Sequence, residues 1–212
     1  MCPPTVARRD GITQTGTWEI ARVYTLKDGD DDCLFVLPGG TDRDKTFITM
    51  STYLLTWNPQ KWRWTDLTQR IKEIKRKGFC VTDWSCGNNK SIANGSRLFL
   101  LRQGEEPRGI VGAGFAISSP YEEIHWREEK ARAGRTTMYL KVRWETLLNP
   151  ETESILPREW LNEGLLSKVN WNTQISGITI RSEQADVLEE RWEAFLGRRG
   201  EEFSLFSNAS PD

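Results

Sequence analysis

The most regular pattern in the chain is TTMYLKVRWETLL, residues 136–148, where Met138, Leu140, Val142 and Trp144 alternate with polar positions. A period of two sends successive side chains to opposite faces, so this run predicts a half-buried β-strand. FCVTDW (79–84) alternates in the same way, and TFITMSTYLLTW (46–57) is rich in β-branched and aromatic residues. RLFLLRQ and GIVGAGFAIS predict two more strands joined by GEEPRG, a hairpin signal. The four glycines in 104–114 predict a sheet that curves tightly or is closely approached. KVNWNTQISGITI (168–180) predicts a loop leading into a short strand. WEIARVYTL (18–26) and CLFVL (33–37) flank an Asp-Gly turn signal and predict a hairpin in an N-terminal arm of residues 1–45.

Helical periodicity appears twice. In WTDLTQRIKEIKRKG, Leu67, Ile71 and Ile74 recur on one face, with Thr65 as the expected N-cap and Gly78 as the C-terminal stop. A last helix starts at Ser182 and lines up Ala185, Leu188, Trp192 and Phe195, with a polar, flexible tail expected over 198–212. PYEEIHWREEKARAG reads as a polar connector with helical character, and NPETESILPREWL as a loop entering a short helix. The sum is an α+β domain over 46–197: a strongly curved mixed sheet or small barrel of five or six strands with two or three flanking helices.

Composition narrows the function. Hydrophobic residues at 37% and charged residues at 28% suit a soluble globular protein. No apolar run approaches the ~20 residues of a membrane span, and MCPPTVARRDG carries no apolar segment of the secretory kind, so a cytoplasmic location is expected. Four cysteines form no CxxC pair and His125 is the single histidine, which leaves no donor set for a structural zinc. No P-loop, GxGxxG, HExxH or GxSxG is present, so neither a catalytic residue nor a cofactor is expected.

The net charge is −1, yet the charges are segregated. Cations gather at 61–77 and 126–143, while acids gather at 28–32, 151–163 and the C-terminal helix. A chain polarised in this way can offer a basic face to nucleic acid while staying neutral overall, although solvated helix faces give the same pattern.

Tryptophan is the other unusual feature. Trp144 and Trp192 fall on apolar faces and read as core, and Trp62 and Trp64 read as packing ahead of the Leu67/Ile71/Ile74 face. Trp57, Trp84, Trp126 and Trp171 sit at element ends or in loops beside small and amide residues: TWN, DWSCGNN, IHWRE and NWNTQ. A pocket for a nucleobase needs flat π surfaces and a few hydrogen-bonding groups at the base edge. Loop tryptophans also staple loops to a core, and the sequence leaves both roles open.

The run DWSCGNNKSIANGSRLFLLRQGEEPRGIVGAGF resembles the central stretch of the YTH and EVE branches of the PUA-like superfamily. The shared pattern is a strand ending in Trp-Ser, a Gly/Asn-rich loop, an apolar strand and a turn into a G-x-G/A strand. YLKVRWETLL and NWNTQISGITI resemble the family's VRW strand and late recognition loop, and the likeness spans roughly 46–196. TWNPQKWRWTDL, WSCGNNK and PYEEIHW resemble, more narrowly, EVE-like domains that precede HNH nuclease domains in modification-dependent restriction enzymes.

The resemblance implies an aromatic cage around a modified base. Trp84 matches the cage tryptophan of the Trp-Ser motif, with Ser85 and Cys86 at the base edge. Tyr121 and Trp126 are loose matches to the other walls. Trp57 and Asn58 stand where the family brings groups to the base, and Gln174 and Ser176 match the late loop. Lys61, Arg63, Lys90, Arg102, Arg108 and Lys168 flank those loops as candidate phosphate contacts. The implied function is recognition of a methylated or hydroxymethylated cytosine, or methyladenine, flipped from duplex DNA. The implied setting is restriction or defence, with a nuclease domain or subunit as partner. A YTH-like reader of modified RNA and an ASCH-type hydrolase of a modified nucleoside are the alternatives. No HNH motif occurs in the chain, so it would act as the reader.

Overall fold

The structure is a computed structural model that describes residues 51–207. The arm of 1–45, the start of the 46–57 strand and the end of the tail lie outside the described residues. Eight strands and four helices follow in the order β1 (Thr52–Trp57), α1 (Leu67–Lys77), β2 (Cys80–Gly87), β3 (Arg97–Arg102), β4 (Gly109–Ala116), β5 (Tyr121–Ile124), α2 (Glu128–Arg132), β6 (Thr136–Leu147), β7 (Leu156–Pro157), α3 (Arg158–Leu161), β8 (Ile178–Ile180) and α4 (Ser182–Ser207). A 3₁₀ turn, Gly164–Lys168, lies between α3 and β8.

Six strands form one path, β2-β6-β4-β3-β1-β8, while β5 adds to β6 and β7 to β4. β1 runs parallel to β3 and the other pairs are antiparallel, so the sheet is mixed, as expected. The alternation of β6 is realised: Met138, Leu140, Val142 and Trp144 are buried, and Lys141 is exposed.

Strand-to-strand irregularities bend this sheet. Register shifts occur at Ser85/Gly87, Leu100/Leu101 and Ala113/Gly114, and an extra residue in one strand sharpens the local twist. The glycines of β4 permit the close approach that this curvature needs. A Cβ at Gly114 would stand 2.2 Å from the Arg143 carbonyl oxygen. The two ends of the path are then bridged by hydrogen bonds outside the ladder. The Ser176 hydroxyl donates to the Ser85 carbonyl at 2.7 Å and accepts the Thr56 N–H at 3.2 Å. The Gly177 N–H donates to the Leu54 carbonyl at 2.9 Å, and the Asn89 amide donates to the Gly177 carbonyl at 2.7 Å. The lead-in to β8 is thereby tied to β1 and to the far end of β2.

The helices cover this sheet with the faces that the sequence assigns. α1 buries Leu67 and Ile71 and stops at Gly78, whose φ of 84° suits glycine and whose N–H bonds the Ile74 carbonyl at 2.7 Å. Its N-cap is Asp66, not Thr65, because the helix begins two residues past Thr65; the Asp66 carboxylate accepts from Arg70 at 2.8 Å and leaves the helix N–H groups alone. α4 buries Ala185, Leu188, Trp192 and Phe195, and it runs on to Ser207, past the expected end. Arg97 joins it to the sheet through a two-pronged bond to Glu189 at 2.8 and 2.5 Å. The polar connector 120–134 holds β5 as well as the short α2; the β5 strand arises because Tyr121–Ile124 pairs with Thr136–Tyr139.

Gly114→Ala tests the close approach. Its methyl has no room before the Arg143 carbonyl, so a loss of at least ~1–3 kcal/mol is expected in urea denaturation. An unchanged midpoint would contradict this explanation of the curvature.

Candidate nucleic-acid interface

The site begins at the turn after β1. The Asn58 carbonyl accepts the N–H groups of Lys61 and Trp62, both at 3.0 Å, and its side-chain Oδ1 accepts the Gln60 N–H at 3.0 Å. The Trp57 indole N–H donates to the Trp62 carbonyl at 3.0 Å. Four hydrogen bonds therefore hold a short polar turn in one conformation, and that turn presents the Trp62 ring.

Behind it lies a cluster of indoles. Trp64 is buried, 5.8 Å from Trp57 and 4.7 Å from Trp84 between ring centroids, and Trp84 meets Trp144 edge-on at 5.8 Å. Trp62 stands edge-on to Trp84 at 5.5 Å and is 42% exposed. Edge-to-face contacts suit the ring quadrupoles and add ~0.5–1.5 kcal/mol per pair beyond burial. The inner rings thus form a rigid floor and Trp62 a projecting wall.

Three further segments complete a cavity of about 690 Å³. The end of β2 supplies Trp84, Ser85, Gly87 and Asn88; the connector around α2 supplies His125, Trp126, Arg127, Lys130 and Arg135; the late loop supplies Gln174, Ile175 and Ser176. A volume of this size is typical of small-ligand sites. Lys61 Nζ donates to Gln174 Oε1 at 2.8 Å and joins the first turn to the late loop. Gln103, at the end of β3, donates through Nε2 to the Trp171 carbonyl at 2.6 Å and the Thr173 carbonyl at 3.1 Å, which anchors that loop from below.

Lys61, Arg127, Lys130 and Arg135 give the lining four cations against Asp83. His125 adds no charge at neutral pH: burial and the adjacent Lys130, Arg127 and Arg135 push its pKa below the ordinary histidine value, and its Nδ1 accepts the Arg127 N–H at 3.0 Å. The Tyr121 hydroxyl donates to Asp83 and, with Lys141 at 3.2 Å, holds that carboxyl below its ordinary range. The Arg127 guanidinium lies 4.8 Å above the Trp126 ring.

The structure brings together Trp57, Asn58, Lys61, Trp84, Ser85, Trp126, Gln174 and Ser176 around the cavity. Other expectations need correction. Trp62 is not packing but an exposed wall, because the Asn58 turn lifts it out of the core. Trp57 is only 7% exposed and its N–H is engaged by Trp62, so it braces the turn. Cys86 is wholly buried, its thiol donating to the Asn89 carbonyl, and burial raises its pKa to about 11. Tyr121 faces a neighbouring depression with Asp83, Tyr139 and Lys141, because β5 pairs with β6. Trp171 is 2% exposed and donates to the Leu166 carbonyl at 2.8 Å, a staple.

Among the candidate cations, Arg102 is 5% exposed and donates to the carbonyls of Glu105 and Pro107, so it holds the β3–β4 turn and cannot reach a phosphate. Arg108 is paired with Glu106 at 2.5 Å. Arg63, Lys90 and Lys168 are exposed and stand outside the cavity lining. Lining residues that the sequence alone did not single out include Gln103, Asn88, His125, Ile175 and the cations after Trp126. The 126–143 charge cluster was the available signal for the last group.

No family model and no curated protein matches the chain. Solved structures similar to it include human THYN1 in complex with DNA containing 5-methylcytosine, at 15% identity over 66% of this chain and 97% of that one, TM-score 0.48. A Pseudomonas syringae protein is similar at 17% identity over 66% and 99%, TM-score 0.45, and a Leishmania major protein at 15% over 73% and 97%, TM-score 0.46.

The division between wall and staple has a measurable consequence. Trp171→Ala is expected to cost ~3–5 kcal/mol in chemical denaturation, whereas Trp62→Ala is expected to cost ~1–2 kcal/mol, for its ring contacts and partial burial. Equal losses would show that Trp62 is core after all.

Proposed function

We propose that this chain is a nucleic-acid-binding module of PUA-like, EVE type that accepts a modified base, flipped out of duplex DNA, in the cavity beside Trp62, Trp84 and Trp126. The observation that carries the reading is the combination of indole walls with four lining cations at one cavity. Stacking on an aromatic contributes ~1–3 kcal/mol per base, which is comparable with the few kcal/mol that flipping costs. The cations favour the phosphates on either side of an extruded nucleotide and steer the duplex to the cavity mouth. The role proposed for the module is to read the base, not to cut. Its place is recognition for modification-dependent restriction or defence, with cleavage by a nuclease domain or subunit.

Binding is measured at fixed salt to duplexes carrying 5-methylcytosine, 5-hydroxymethylcytosine, N6-methyladenine or no modification, and to single-stranded RNA carrying the same bases. One modified duplex is expected to bind more tightly than its unmodified twin, and Trp62→Ala is expected to remove that preference. No preference in the whole panel sinks the reading, and preference for the RNA replaces the duplex with RNA. A turnover assay on modified nucleosides should find none.

A second expectation concerns charge. Lys130→Gln and Arg135→Gln are each expected to lower the slope of log K against log salt by about one at most, with the modification preference retained. A preference lost together with the slope would mean that these cations touch the base.

A further inference from the structure

Two side-chain amides at this cavity have their orientation fixed by bonds made to the protein. Asn58 and Gln103 follow directly on Trp57 and Arg102, which are register partners on the parallel strands β1 and β3, and the Gln103 N–H donates to the Trp57 carbonyl at 2.7 Å. The Asn58 side chain lies across Gly104: a Cβ there would stand 2.5 Å from its Oδ1 and 3.0 Å from its Nδ2. The two residues are therefore neighbours, and both line the cavity.

Their chemistry is complementary. Gln103 is 3% exposed, and its Nε2 donates to two carbonyls, which can only accept. That assigns the amide's orientation and makes Oε1, an acceptor, the atom it can offer to a ligand. Asn58 is fixed in the opposite sense. Its Oδ1 accepts the Gln60 N–H, so the atom it can offer is Nδ2, a donor.

We propose that Gln103 Oε1 and Asn58 Nδ2 form an acceptor–donor pair that selects a base carrying an exocyclic amine next to an unprotonated ring nitrogen. Cytosine presents N4–H₂ beside N3, and adenine presents N6–H₂ beside N1. Thymine and guanine present a carbonyl beside a ring N–H, which sets oxygen against Oε1 and hydrogen against the Nδ2 hydrogens. The aromatic walls are indifferent to this distinction, because every base has a π face. The inference rests on the base-reading function and specifies the class of base, not the modification it carries.

The experiment compares, in one sequence context, duplexes with 5-methylcytosine opposite guanine, thymine opposite adenine, and unmodified cytosine opposite guanine. 5-Methylcytosine and thymine share the C5 methyl and differ at the edge. Thymine is held by the weaker pair, so duplex opening alone would favour it. The parent protein is expected to bind the 5-methylcytosine duplex about tenfold or more tightly than the thymine duplex, as one correct two-bond base contact allows. Asn58→Asp keeps the acceptor for the Gln60 N–H and removes the donor. Its added charge weakens all three complexes, but the 5-methylcytosine-to-thymine ratio is expected to fall below about threefold.

Gln103→Met should lower the same ratio; because it also unties Trp171 and Thr173, Asn58→Asp is the variant that decides if this one fails to fold. A parent that prefers 5-methylcytosine over cytosine yet binds thymine equally well overturns the amide pair and leaves the base reader standing. An Asn58→Asp variant that keeps the full ratio likewise overturns the pair alone. A parent indifferent to all three duplexes, with no preference elsewhere in the modified panel, overturns the reader and the amide pair together.

Discussion

Contact among the indoles of Trp57, Trp64, Trp84 and Trp144 fixes where the ends of β1 and β2 meet. Each ring comes from a different part of the chain or a different face, and each touches the next within 6 Å between centroids. Burying such rings removes large apolar areas from water and leaves little freedom for sliding, because their shapes interlock. The turn from Asn58 to Trp62 grows out of this cluster, tied back by the Trp57 N–H. A cavity wall that protrudes into solvent can be rigid only if its root is, and here the root is core.

The other walls are held in a similar way. The late loop has few apolar residues of its own, yet hydrogen bonds from Gln103, Asn89 and Ser176 hold it against three strands. The bonds of Asn89 and Ser176 also bridge the two ends of the sheet path, so the curvature of the fold and the shaping of the site are one construction. Distortion of β4, made possible at Gly114, serves both.

Much of the fold was legible because periodicity survives in single elements. The alternation through Met138 to Trp144 and the stop at Gly78 need no tertiary information, and both are present in the structure. The site was legible in part, through the Trp84-Ser85 stretch, the Gln174-Ile175-Ser176 loop and the cations after Trp126. The exposures of Trp57 and Trp62 run opposite to expectation, although both line the cavity, because which indole is buried depends on the Asn58 turn and not on local composition. Arg102 shows the same limit. An arginine at a strand end looks like a phosphate contact, and only the fold reveals that the carbonyls of Glu105 and Pro107 surround it. Gln103 escaped notice for a related reason: its partners, Trp171 and Thr173, are remote in sequence.

Occupation of the indole-walled cavity by an extruded base is the point on which the proposed function turns. A crystal structure of the protein with a duplex that carries its preferred modified base decides it. The modified base is expected outside the helix, between the projecting ring of Trp62 and the segment bearing Trp126, with flanking phosphates near Lys61, Lys130 and Arg135. A base still stacked in the duplex, or a duplex bound on another face with the cavity empty, would contradict it.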